Sequence, residues 1–181
     1  MEFSNEQKLI VTLLTDIHEA LKIQDSVDPR FVQRMVVEDQ TWALEWKYPG
    51  MFQESEDEKP QVRFVAKVLD MWERLEYQFN NFDPVEKAEL EEKAGVFGRD
   101  VRFRGFDGNN ETEELSITSI FVEDLDRWSD FKGRNFNSHM RLSDAYRRML
   151  ERFSDLPPYD RDLTVDEVAE VLFEQTHPEN R

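Results

Sequence analysis

The chain contains no cysteine, and that absence removes disulfides, thiol nucleophiles and thiolate metal sites at once. Histidine is scarce: His18, His139 and His177 lie far apart and show no H-E-x-x-H or comparable ligand spacing, so no metal site is expected. Only 6 glycines and 7 prolines are present, too few for the many turns of an all-β fold. No stretch approaches the ~18 apolar residues of a membrane span. The opening MEFSNEQKLIVTLL has no basic lead and no small-residue cleavage site, which points to a cytoplasmic protein with no membrane partner. G-x-x-x-x-G-K, G-x-G-x-x-G and G-x-S-x-G are all missing, so no nucleotide-binding or hydrolase signature assigns a cofactor or a catalytic residue.

What is present argues for a folded, helical protein. The 181 residues suit one domain, and 14 Phe, 4 Trp and 4 Tyr supply large buried areas that argue against disorder. A net charge of -17 repels phosphate backbones and anionic lipid, so nucleic acid is not an expected partner. The charge is uneven, however. Residues 105–126 carry acids and no bases, whereas Arg127 to Arg152 is rich in arginine.

Helix starts recur with their caps. Ser4 with Gln7 and Thr164 with Glu167 are capping boxes, and Asp28–Pro29 and Asp83–Pro84 place an N-cap before a first-turn proline. Leu9, Ile10, Leu13, Leu14, Ile17 and Leu21 form one stripe, and Val62, Val65, Val68, Leu69, Trp72, Leu75 and Phe79 form another. Phe31, Met35, Trp42 and Trp46 fall on one face of a single helix after Pro29, and a later helix runs from about Asn110 to Trp128. The expected fold is all-α or nearly so, with about seven helices in a single compact domain. It leaves room for one short extended segment near 100–106. Residues 1–47 read as an N-terminal helical pair, 48–60 as a mobile acidic loop and 61–181 as the helical main body.

The stretch GFDGNNETEEL, Gly105 to Leu115, looks most like a site. Starting a calcium loop at Asp107 puts oxygen ligands at Asp107, Asn109 and Glu111, but Thr112 stands where glycine must turn and Thr118 where a bidentate Glu is needed. The pattern fits a helix entry better: Asn110 caps, and Glu111, Glu113 and Glu114 charge the first turn. The loop Gly133 to Met140 gathers Asn135, Asn137 and His139, either as ligand-binding groups or as turn-forming ones, with Ser143 capping the next helix. Arg134, Arg141, Arg147, Arg148 and Arg152 could bind an oxyanion or meet the acidic segment 111–126. The weak ligand-binding candidates are therefore Asp107, Glu111, Asn135, Asn137, His139 and Arg148.

At VRFRGFDGNNETE and FNSHMRLSDAYRRMLERF the sequence resembles the YfbU-like family of bacterial proteins, with Gly105, Phe106, Asp107, Glu111, Phe136, Asn137, Tyr146, Arg148, Met149 and Leu150 as the matching positions. The resemblance implies a mostly helical cytoplasmic protein and brings no catalytic motif. Some members carry a helix-turn-helix segment ahead of this domain, which suggests a DNA-linked regulatory role; here the similar part begins within the first few residues, with no room for such a segment.

Three functional expectations follow. The first is a non-enzymatic interaction or regulatory domain that forms a homo-oligomer by pairing aromatic-rich helix faces, with a further protein partner as an option. The second is an enzyme or small-ligand binder with a polar pocket around Asp107, Asn137 and Arg148. The third is a nucleic-acid-binding regulator using Arg134 to Arg152.

Overall fold

A computed structural model describes residues 2–51, 59–157 and 161–180. Among the described residues there are nine α-helices and no β-strand, so the protein is all-α. The acidic stretch 52–58, in the expected loop, lies outside them.

Contacts group the chain into two units, the first formed by residues 1–59 with 120–127 and the second by 60–119 with 128–181. Unit one holds α1 (Asn5–Leu21), α2 (Pro29–Val37), α3 (Trp42–Lys47) and a π-helical turn, Ile120–Asp124. The single helix expected after Pro29 is two, because Asp39 takes a left-handed φ of 58° between them. Trp42 and Trp46 then pack on Phe121 from the π-helical turn, with ring centroids 4.8 Å away in both cases. The helix expected from Asn110 to Trp128 is likewise interrupted: Leu125 N–H donates to the Ile120 carbonyl, the i→i+5 bond of a π turn, and Trp128 has a φ of 46°.

The apolar stripe of α1 points outward. Leu9, Ile10, Leu13, Leu14, Ile17 and Leu21 are each 54 to 68% exposed, and no residue of the helix is buried. Its partly covered side is instead Lys8, Val11, Thr12, Thr15 and His18. Lys8 donates to Asp39 and to the Val37 carbonyl, and Thr12 and Thr15 return their hydroxyls to carbonyls one turn earlier. The helix thus packs on α2 through polar and mixed groups while its best hydrophobic surface meets water.

Unit two holds α4 (Pro60–Asn81), α5 (Pro84–Ala94), α6 (Val96–Arg99), α7 (Thr112–Ser119), α8 (Ser143–Phe153) and α9 (Val165–Phe173). Residues 96–99 form a helical turn, and the chain extends after Asp100, within the segment expected near 100–106. From there the period of two is plain: Val101, Phe103 and Gly105 are buried, and Arg102 and Arg104 are exposed. Among the described residues this segment pairs only at one parallel bridge, Phe106 to Asn137. The aromatic core compensates. Phe103 lies within ring-contact distance of Trp72, Phe106, Phe131, Phe136 and Tyr146, with centroids 5.5 to 6.4 Å apart. The aromatic residues the sequence offered for pairing between subunits are therefore largely inside, Trp72 being 2% exposed and Phe131 0%.

Most local signals hold. Asp83 accepts the amides of Val85 and Glu86 while Glu86 reaches back, the full capping box. Asp83→Ala should lower stability by about 1 kcal/mol in urea unfolding; an unchanged midpoint would show that α5 is held by packing alone.

Candidate functional site

The two segments singled out from sequence meet. Gly105, with a φ of 83°, turns the chain so that Phe106 N–H donates to the Phe136 carbonyl at 2.8 Å, and Ser138 N–H returns to the Phe106 carbonyl at 3.0 Å. A β-carbon on Gly105 would lie 1.8 Å from the Phe136 oxygen. Tyr146, buried among the aromatic rings, donates its hydroxyl to the Gly105 carbonyl at 3.1 Å, and burial pushes its acidity out of reach of ordinary pH.

Within this knot each polar candidate has a structural task. Asn137 Oδ1 accepts Gly108 N–H and His139 N–H, both at 3.0 Å, and Asn135 Oδ1 accepts Asn137 N–H at 2.9 Å. Asp107, 4% exposed, accepts the Asn110 side-chain amide and Asn109 N–H; these bonds, in that order, hold its carboxyl below the usual range. Asn110 is in turn bonded by Arg141. His139 is exposed, with a left-handed φ of 55°.

Glu111 does what neither Asn110 nor Ser143 does. The helix after Asn110 begins only at Thr112, and Ser143 is already the first residue of α8, whose N-cap position, Leu142, offers no side-chain acceptor. The orphan amides there are answered from 31 and 32 residues away: Glu111 accepts Leu142 N–H at 3.0 Å and Ser143 N–H at 2.7 Å, together with Asp107 N–H at 2.9 Å. Burial alone would raise the Glu111 carboxyl, but the amides of Asp107, Ser143 and Leu142 outweigh it and hold the group below its usual range. A 6%-exposed carboxylate at a helix N-terminus is thus kept charged by dipole and donors together.

Arg148 has other work. Its guanidinium donates to the carbonyls of Glu174 and Asp144, each at 3.1 Å, tying α8 to the end of α9. The other arginines scatter as well. Arg134 grips Glu76 with both carboxylate oxygens within 2.9 Å, Arg152 pairs with Glu170 and Asp155, and Arg147 lies over the Phe64 ring. None of these pairs with the acidic segment 111–126, the expected internal partner. Asp107, Glu111, Asn135, Asn137 and His139 are brought together, and their hydrogen bonds to one another and to the backbone build the joint between the Gly105 and Gly133 segments and α8. Among the described residues no three His, Asp or Glu side chains converge to hold a metal ion, and no helix is long and apolar enough to cross a membrane.

Comparison with known proteins places this scaffold. A UPF0304 protein of Methanocaldococcus jannaschii is 35% identical over 75 residues, an alignment covering 39% of this chain and 45% of that protein's length, so the chain spans less than half of the relative it matches. The YfbU domain matches residues 1–173, from the start of the outward-striped α1 through the knot and α8 to the end of α9. The chain belongs to the YfbU family.

Proposed function

We propose that the protein is a non-enzymatic interaction domain that self-associates through the outward face of α1. One observation carries the reading: the helix turns its aliphatic stripe to solvent and its lysine and threonines toward its own unit. Isolated exposed leucines need no explanation, but a continuous stripe on a capped helix is a contact surface. A second copy suits it best. The stripe is uniformly aliphatic, so it is complementary to itself across a two-fold axis, and Ile10, Leu14, Ile17 and Leu21 repeat at the alternating four-three spacing that lets helices interlock.

Charge selects the antiparallel arrangement. Parallel helices would set Asp16 against Asp16 and Glu19 against Glu19, whereas antiparallel ones centred near Leu13 and Leu14 bring Lys22 beside the other copy's Glu6. The net charge of -17 works against an anionic lipid surface as the occupant.

Light scattering at several concentrations should give a dimer or a multiple of one. Leu13→Glu with Ile17→Glu should weaken association on the order of 100-fold or more while leaving helicity unchanged, since charged groups would be desolvated at the centre of the contact. The absence of native cysteine makes Leu14→Cys a clean orientation probe, expected to cross-link rapidly to its counterpart. A wild-type monomer at every concentration refutes self-association; a dimer indifferent to the double substitution moves the interface off α1.

A further inference from the structure

A cleft in unit two lies between α4 and α8. Its volume is about 630 Å3, within the range of small-molecule sites. Phe64, Leu150 and Phe153 supply apolar lining, and Arg63, Lys67 and Arg147 supply cations.

Two of those cations stand out. Lys67 and Arg147 form no hydrogen bond or ion pair with any described residue, in a chain whose acids number 40 against 23 bases. Their neighbours differ: Arg148 and Arg152, on the same helix as Arg147, are both bonded. Arg147 is nevertheless held in place. Its guanidinium carbon lies 4.2 Å from the centroid of the Phe64 ring, a cation–π contact that fixes the planar group without using its N–H donors. A guanidinium so placed loses little side-chain entropy when an oxyanion arrives.

The acids on the cleft wall do not cancel this arrangement. Asp70, one turn along α4 from Lys67 and two from Arg63, already accepts the Trp128 indole N–H at 2.9 Å. Glu151 is one turn along α8 from Arg147. Positive charge therefore gathers around Phe64, and apolar surface continues past it along Leu150 toward Phe153.

We infer that the α4–α8 cleft binds a small organic anion with an aromatic or branched apolar body, its carboxylate or phosphate held by Arg147 and Lys67 and its body lying over Phe64, Leu150 and Phe153. The cleft belongs to unit two and α1 to unit one, and neither inference needs the other. Arg147 is one of the arginines the sequence offered for an oxyanion, but Lys67 and the apolar lining were not singled out for it, and neither Asp107 nor Asn137 lines the cleft.

The test is a set of titrations of the full chain followed by amide and methyl NMR, using phenyl phosphate, phenylacetate, neutral phenylacetamide and inorganic phosphate. The aromatic anions should bind with a dissociation constant below about 1 mM, shifting Leu150 and the amides around Phe64, and should exceed phenylacetamide and inorganic phosphate by at least about tenfold. Whichever of phenyl phosphate and phenylacetate binds more tightly identifies the head group. Arg147→Gln should weaken binding by at least about tenfold. Lys67→Gln, at an exposed and unbonded position, should weaken it with no effect on folding. Equal binding of phenylacetamide overturns the anion requirement, equal binding of inorganic phosphate overturns the apolar body, and no shift at the cleft with any probe at 10-fold excess over ~1 mM overturns the site.

Discussion

Gly105→Ala should be the most damaging small substitution in the protein, costing on the order of 4 kcal/mol or more and in practice leaving little folded material. Two penalties coincide. A left-handed φ of 83° strains any residue with a β-carbon, and that carbon would stand 1.8 Å from the backbone oxygen of Phe136. The oxygen cannot move away cheaply, because it accepts Phe106 N–H and belongs to the bridge between the two loop segments. Gly108→Ala makes the control. Its added carbon would meet the Asn137 side chain at 2.6 Å, a group that can shift only by straining its bonds to the Gly108 and His139 amides, so a loss of about 1 to 2 kcal/mol is expected. Urea unfolding of the pair measures the difference; equal losses would show that the Phe136 backbone yields as easily as a side chain.

Replacing Glu111 by alanine should cost about 3 kcal/mol, because two amides at the start of α8 and the Asp107 amide lose a charged acceptor. Glu111→Gln should fall between, since its amide oxygen can still accept while its NH2 faces donors. The pH dependence separates charge from shape. The carboxyl titrates lower in the folded protein than its ordinary 4.5, so its contribution is fully present above about pH 4.5 and disappears as pH falls through the folded value. Wild-type stability should therefore drop more steeply on acidification than that of Glu111→Gln. Parallel curves would mean that the carboxylate is not the ionised acceptor.

These two residues also show how much the sequence discloses. Caps built from neighbours, such as Ser4 with Gln7 or Thr164 with Glu167, are written in adjacent letters and appear as read. Glu111 seemed to belong to its own helix because first-turn acids usually do, and nothing local reveals that the amides it serves lie 31 residues on. The Asp107 oxygens looked like calcium ligands for the same reason that they cap a turn: both tasks require closely spaced oxygen acceptors. Periodicity found the stripe on α1 but cannot say which way a stripe faces, and here it faces out. Arg147 could be read as an oxyanion binder, but the α4–α8 cleft could not, because its other cation, Lys67, stands 80 residues away in the chain.

Because α8 draws its cap from Glu111, it has no local means of starting. An eleven-residue helix without its own cap is a poor nucleus, and an isolated peptide of that sequence should remain mostly coil. In the folding chain α8 should therefore gain its first turn only after the Asp107 to Glu111 turn has arrived. The rate at which α8 becomes ordered is then set by loop closure between residues 111 and 142, and a stopped-flow experiment should register the two as one kinetic event.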